Sequence, residues 1–137
     1  MNSVTHISHE RAYGLGVTIS RLISYPTHGA VELLVGFAVM GVPFAIGLAT
    51  PAVITAVVIG ALIFGLGVSA SDTGERGTLP ISAHAAYDAG IALGLALVGI
   101  VFGVVGSGLA LVFFVGAGLV ELGLASLTRY SPAPAGH

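Results

Sequence analysis

Two pairs of side chains in this 137-residue sequence combine an imidazole with a carboxylate at the spacing of one helical turn. His28 precedes Glu32 by four residues, and His84 precedes Asp88 by four residues. Residues four apart lie on the same face of a helix, so each imidazole can hydrogen-bond to its carboxylate or form an ion pair with it. These four residues are therefore the first candidates for chemistry.

The sequence around these pairs is typical of a membrane protein. Apolar residues make up 55% of the chain and charged residues 7%, whereas soluble proteins are about a quarter charged. The run from His28 to Leu48 contains one further ionisable side chain, Glu32, and as a helix it would rise about 30 Å, the thickness of the hydrocarbon layer. Four such stretches predict an all-α membrane protein with four transmembrane helices.

The two pairs recur because the chain repeats itself. Adding 56 to each position places His28 on His84 and Glu32 on Asp88, with no gap. The same shift matches further residues of the first half with identical residues of the second, among them Gly47 with Gly103, Gly60 with Gly116, Ala61 with Ala117, Leu66 with Leu122 and Gly67 with Gly123. We therefore predict two tandem two-helix repeats.

The repeat and the polar segments divide the chain into five parts. They are a segment at 1–26, the first repeat at 27–70, a polar connector at 71–82, the second repeat at 83–127 and a tail at 128–137. Apolar residues at helical spacing predict that the first segment lies at the membrane interface as an amphipathic helix. The Pro-rich tail is predicted to be disordered. Within the repeats we expect helices at about 27–48, 51–70, 83–105 and 108–127.

The arginines predict the orientation of these helices. Arg11, Arg21, Arg76 and Arg129 all fall on one side of the predicted membrane, and the two short reversals carry no charge. Under the positive-inside rule, both termini and the connector are cytoplasmic. We expect a multi-pass protein of the inner (plasma) membrane.

A third carboxylate lies in the fourth predicted helix, at Glu121. A bare carboxylate facing lipid is disfavoured by several kcal/mol, so all three acids should face the interior of the bundle, be paired, or be protonated. Glu32, Asp88 and Glu121 lie in the cytoplasmic half of the membrane, and the opposite half contains no ionisable side chain. A proton path within one chain would stop halfway.

Small residues spaced four apart predict surfaces where helices approach closely. Gly90 and Gly94 have this spacing, as do Gly99 and Gly103. We predict helix packing at seven glycines, namely Gly60, Gly90, Gly94, Gly99, Gly103, Gly116 and Gly118.

Several classes of function are disfavoured. The chain has no cysteine, which excludes disulfides, thiolate nucleophiles and thiolate metal sites. It has no Gly-rich phosphate loop after a strand and no basic-aromatic face for nucleic acid. No Ser/His/Asp set can be assembled around a positioned nucleophile. We therefore expect a protein that is not an enzyme, requires no cofactor and binds no nucleic acid.

The first repeat resembles a known family in its layout. Val42-Pro43-Phe44 and Gly47-Leu48 near the end of the first apolar helix, followed by a second apolar helix, are similar to the SPW-repeat membrane proteins. In that family Ser-Pro-Trp occupies this place in a two-helix unit. The similarity covers most of residues 27–127, although Val98-Gly99-Ile100 of the second repeat lacks the proline. It implies a small bacterial or archaeal integral membrane protein, and it implies no catalytic residue.

Four interpretations of the polar residues remain open. The first is that the His/acid pairs join helices and repeats, in a protein that acts in the bilayer through helix packing, as a homo-oligomer or as an accessory subunit of a larger membrane complex. The second is a proton-coupled transporter or channel that uses Glu32, Asp88 and Glu121. The third is a heme- or chlorophyll-binding subunit with His28 and His84 as axial ligands. The fourth is a divalent metal held by both pairs.

Overall fold

The computed structural model describes residues 22–71 and 79–130 of the chain. Its long elements are four helices: α1 (Tyr25–Ala45), α2 (Thr50–Ser71), α3 (Ile81–Val104) and α4 (Gly108–Leu127). All four are long and apolar enough to cross a membrane, which confirms the predicted all-helical membrane class. The predicted interfacial helix falls mainly on residues 1–21, outside the described part of the chain.

Helix α1 begins and ends slightly earlier than the sequence predicted. Ser24 caps its first turn, since the Ser24 hydroxyl oxygen accepts a hydrogen bond from the backbone N–H of Thr27 at 3.4 Å. Pro26 lies in that first turn, where its missing N–H has no intrahelical partner to lose. Tyr25-Pro26 therefore starts the helix rather than preceding it. The helix ends before Gly47, which adopts the left-handed conformation at φ 71°.

The helices form two hairpins, α1 with α2 and α3 with α4, each with extensive contact along its length. Glycines permit this approach. A Cβ atom on Gly36 would lie 2.8 Å from the carbonyl oxygen of Gly60, and one on Gly67 would lie 2.8 Å from the carbonyl oxygen of Gly29. In the second hairpin, a Cβ atom on Gly118 would lie 2.8 Å from the carbonyl oxygen of Ala92. Contact between the two hairpins is much sparser.

Buried apolar side chains fill the middle of the bundle. Phe114 is fully buried and its ring stacks on that of Phe102, with centroids 5.4 Å apart. Large apolar side chains such as Leu34, Phe37 and Leu119 are instead mostly exposed on the outside. An outward apolar surface of this extent is expected where the chain contacts lipid.

Two short strands, one before α1 and one after α4, pair with each other. β1 (Ile23–Ser24) pairs in parallel with β2 (Thr128–Arg129), with Ile23 opposite Thr128. The start of α1 and the end of α4 therefore lie side by side, at what we call the polar end of the bundle. The prediction that the disordered tail begins at residue 128 is wrong for residues 128–130, while residues 131–137 lie outside the described part.

Candidate functional site

Four buried polar side chains meet at the polar end of the bundle. They are His28 and Glu32 of α1 and His84 and Asp88 of α3, which we call the quartet. Each is at most 1% exposed. One nitrogen or carboxylate oxygen from each residue lies within 4.8 Å of the corresponding atoms of the other three. The two His/acid pairs predicted from the sequence therefore form a single site.

The quartet is a closed ring in which imidazoles and carboxylates alternate. The shorter contacts cross between the hairpins: His28 Nε2 lies 3.1 Å from Asp88 Oδ2, and His84 Nε2 lies 3.0 Å from Glu32 Oε2. The contacts within each helix are longer, at 3.4 Å from His28 Nε2 to Glu32 Oε2 and 3.5 Å from His84 Nε2 to Asp88 Oδ1. Each imidazole thus has its closer carboxylate on the other hairpin.

The hydrogen bonds around His28 fix the position of its proton. The Thr128 hydroxyl donates its single proton to the carbonyl oxygen of Leu124, at 2.7 Å. The same hydroxyl lies 2.8 Å from His28 Nδ1, so it must accept a hydrogen bond from an Nδ1–H group. Nε2 of His28 then faces the carboxylates of Glu32 and Asp88, and it makes no well-angled hydrogen bond with any described residue.

Tyr130 positions Asp88 from the segment that follows α4. Its hydroxyl donates a hydrogen bond to Asp88 Oδ2 at 2.5 Å. Burial, together with this hydrogen bond to a carboxylate, raises the pKa of the Tyr130 hydroxyl well above its ordinary value, so the group remains a donor. Thr128 and Tyr130 were not predicted as site residues, because the sequence places them in a Pro-rich tail. Their position directly after α4 is the one signal that could have found them.

Two phenol rings cover the imidazoles toward the polar end. The ring centroid of Tyr25 lies 5.2 Å from that of His84, edge to face, and the centroid of Tyr130 lies 5.5 Å from that of His28. The rings of His28 and His84 are themselves 5.4 Å apart and inclined at 69°. Tyr25, the first residue of α1, therefore packs against the site.

The fifth predicted residue, Glu121, is buried but lies outside the quartet. It lies six residues before Leu127, the last residue of α4, which is a helical rise of about 9 Å. Its Oε1 atom has no hydrogen-bond partner among the described residues. An ionised Glu121 would be close enough to repel the carboxylates of Glu32 and Asp88.

The glycines predicted to pack divide into two groups. A Cβ atom on any of the first group would lie within 3.1 Å of an atom of a neighbouring helix, and this group comprises Gly60, Gly99, Gly103 and Gly118. The second group comprises Gly90, Gly94 and Gly116, where an added Cβ atom would meet no described residue within 4 Å, so packing at these glycines stays a prediction. Gly90 and Gly94 line an apolar groove of about 280 Å³ between α2 and α3. Gly29, Gly36 and Gly67 pack closely and were not predicted.

No protein-family model matches the chain, and no curated protein or solved structure matches it significantly. The resemblance to the SPW-repeat proteins stays a prediction from sequence layout.

Proposed function

We propose that this is a small integral membrane protein in which the quartet joins two tandem helical hairpins, and which acts through helix packing rather than catalysis. It would act as a homo-oligomer or as an accessory subunit of a larger membrane complex, in the inner (plasma) membrane with both termini cytoplasmic. The observation that carries this proposal is the pair of crossed contacts, His28 to Asp88 and His84 to Glu32.

The crossed contacts matter because the helices of the two hairpins otherwise contact each other only sparsely. Helix contact is dense within each hairpin and sparse between them. Removing one partner of a buried ion pair leaves the other charge uncompensated, at a cost of about 3–5 kcal/mol. A quartet in which each hairpin supplies one imidazole and one carboxylate therefore favours one relative position of the hairpins over all others.

The helix bounds support the tandem duplication. The first residues of α1 and α3 are Tyr25 and Ile81, which are 56 positions apart. The last residues of α2 and α4, Ser71 and Leu127, are separated by the same interval. Each repeat crosses the membrane twice, so the two copies have the same orientation, and we place their pseudo-two-fold axis along the membrane normal.

The unpacked glycines support association with another protein. A Cβ atom added at Gly90 or Gly94 of α3 would meet no atom of the described residues within 4 Å. Spaced four apart, they would allow another helix to approach the backbone closely. Ile59 and Leu62 of α2 form the opposite wall of the groove and offer apolar contact to the same helix.

The transporter and heme alternatives have less support. Residues 33–70 and 89–120 contain no ionisable side chain, so a proton path through Glu32, Asp88 and Glu121 would have no continuation into the opposite half of the membrane. A heme between His28 and His84 would need Nε2 of both rings to face the macrocycle. Those atoms instead lie 3.0–3.1 Å from carboxylate oxygens.

The joining role is tested by measuring the distance between the hairpins. The chain has no native cysteine, so spin labels can be attached at Leu34→Cys on α1 and Leu93→Cys on α3, both of which are exposed. In lipid and with excess chelator, we expect a narrow distance distribution that broadens when Asp88→Asn is added. Glu121→Gln is the matched control, because it alters a buried acid outside the quartet. An unchanged distribution in Asp88→Asn would contradict the proposal.

Association is tested on the full-length protein extracted in mild detergent. We expect native mass spectrometry to show an oligomer or a stoichiometric complex that Gly90→Leu dissociates. Gly65→Leu places the same side chain at an exposed glycine of α2 and should leave the complex intact. A monomer without a partner in the unmodified protein would contradict the packing role.

A further inference from the structure

We infer that the quartet binds one divalent transition-metal ion of the zinc type, held by Nε2 of His28, Nε2 of His84 and one carboxylate oxygen each from Glu32 and Asp88. This inference rests on the proposed function, because it assigns a ligand to the same quartet that joins the hairpins. The metal would connect the two hairpins through two ligands from each.

The spacing of the four side chains matches a tetrahedral site. Zinc lies about 2.0–2.2 Å from imidazole nitrogens and carboxylate oxygens, so adjacent ligand atoms of a tetrahedron are about 3.3–3.6 Å apart. The four nitrogen–oxygen distances around the ring are 3.0, 3.1, 3.4 and 3.5 Å, where Asp88 offers Oδ2 to His28 and Oδ1 to His84. All ligand atoms lie within 4.8 Å of one another, so side-chain movements of about 1 Å would complete the coordination sphere.

His28 has the hydrogen-bond pattern of a metal-binding histidine, with one ring nitrogen bonded to an outer partner and the other directed at the site. Metal-binding histidines donate one ring N–H to an outer partner and coordinate through the other nitrogen. Nδ1 of His28 donates to Thr128, whose hydroxyl is in turn held by the Leu124 carbonyl oxygen. Nε2 lies between two carboxylates, 3.1 and 3.4 Å from their oxygens.

A proton on Nε2 of His28 explains the position of this atom between two carboxylates less well than a metal ion does. An imidazolium N–H at 3.1 Å from Asp88 Oδ2 would be expected to point at that oxygen, yet Nε2 makes no well-angled hydrogen bond with any described residue. A lone pair directed between the oxygens of Glu32 and Asp88 would be repelled by both. A cation placed among the three groups removes that repulsion.

Charge balance also favours a divalent ion. Two carboxylates and two neutral imidazoles carry a net charge of −2, which one divalent cation neutralises. A neutral site is the least costly to bury in the apolar interior of a membrane protein. Glu121 contributes no ligand atom to the quartet.

The ligand types indicate which metals would bind. Imidazole together with carboxylate suits zinc and iron, whereas magnesium and calcium prefer oxygen ligands alone. Four protein ligands would complete a tetrahedral sphere and leave no position for substrate, as in structural zinc sites. The hydrogen bond from Tyr130 to Asp88 supplies a second outer partner of the kind that orients metal ligands.

The test is a titration with Co²⁺, followed by displacement with Zn²⁺, on full-length protein in lipid nanodiscs after removal of metals by chelator. The starting protein carries His6→Gln, His9→Gln and His137→Gln, which leaves His28 and His84 as the only histidines. We expect one equivalent of Co²⁺ per chain, with the visible absorption of four-coordinate cobalt, and complete displacement by zinc.

Single substitutions then locate the ion. Asp88→Asn and His84→Gln should each weaken binding more than about 100-fold, since loss of a ligand exceeds the 10–100-fold effect of losing an outer partner. Thr128→Val removes an outer partner without changing a ligand and should weaken binding about 10–100-fold. Glu121→Gln changes a buried acid that supplies no ligand atom, so it should weaken binding far less than Asp88→Asn does.

Three results would overturn the inference: no stoichiometric cobalt binding in the starting protein, a spectrum of six-coordinate cobalt, or unchanged affinity in Asp88→Asn. The first two require no quartet variant, so misfolding of a variant cannot produce them. The spin-label experiment is performed in chelator and reports on the joining role alone. If the spin labels give a narrow distance distribution but cobalt does not bind, only the metal site is refuted. If cobalt binds but Asp88→Asn leaves the spin-label distances unchanged, only the joining role is refuted.

Discussion

His28 on α1 lies closer to Asp88 on the other hairpin than to Glu32 on its own helix: Nε2 is 3.1 Å from Asp88 Oδ2 and 3.4 Å from Glu32 Oε2. His84 shows the same preference, with its shorter contact to Glu32. The four-residue spacing thus places an imidazole and a carboxylate on the same face of each helix. The contacts that join them run between the hairpins.

The first prediction concerns the coupling between His28 and Asp88. In chelator, we expect His28→Gln and Asp88→Asn each to destabilise the protein. The double variant should be more stable than the sum of the single effects by about 0.6–1.7 kcal/mol, the average and the largest coupling measured for polar pairs in a membrane bundle. Unfolding by SDS in mixed micelles gives these free energies. Additive effects would mean that the two side chains do not interact.

The second prediction concerns Thr128, the hydrogen-bond acceptor for His28. Thr128→Val keeps the shape of the side chain and leaves the buried Nδ1–H without an acceptor, so we expect a loss of about 1–3 kcal/mol of unfolding free energy. Thr55→Val is the matched control, because the exposed Thr55 hydroxyl also bonds a carbonyl four residues earlier but contacts no histidine. Equal effects of the two substitutions would contradict the assigned role of Thr128.

The third prediction concerns the glycine contact between α1 and α2. A Cβ atom at Gly36 would lie 2.6 Å from the backbone nitrogen of Phe64, which cannot move without displacing α2. We expect Gly36→Ala to cost about 1–3 kcal/mol in unfolding free energy, as for other overpacked sites. Gly41→Ala, on the same helix with open space around it, should be neutral or stabilising. Similar unfolding free energies for both variants would show that the hairpin tolerates a wider separation.

The fourth prediction concerns Glu121, whose Oε1 atom has no hydrogen-bond partner in the described part of the chain. The amide of Glu121→Gln has nearly the same shape and carries no charge, so it should be less costly to bury near the carboxylates of Glu32 and Asp88. We expect unchanged or increased thermal stability in detergent. A fall in melting temperature as large as that of Asp88→Asn would place Glu121 within the joining group.

The sequence predicted the architecture well because the apolar runs are long and the breaks between them are distinct. The bounds of α4 agree with the prediction, and those of α1 differ from it by two or three residues because Pro26 starts a helix and Gly47 ends one. The 56-residue shift placed His28 and His84 at equivalent depths. The shift could not show that the closer carboxylate of each histidine belongs to the opposite hairpin, because the contact depends on the distance between the helices.

The partners of the quartet were missed for a related reason. Thr128 reaches His28 through the pairing of β1 with β2, a contact between residues about 100 positions apart that no local pattern reveals. The packing of the glycines also could not be predicted from a local sequence pattern. Spacing alone did not distinguish Gly99, which packs against α4, from Gly90, which faces the open groove.

The most direct test of the account is a measurement of the contact between the hairpins in lipid. Solid-state NMR of protein labelled with ¹⁵N-histidine and ¹³C-aspartate can detect dipolar coupling between an imidazole nitrogen and an aspartate carboxyl carbon, with Asp88→Asn to assign the signal. We predict a strong coupling from His28 Nε2 to the Asp88 carboxyl. If His28 shows no coupling to Asp88 while the protein is folded, the hairpins are not joined by the quartet.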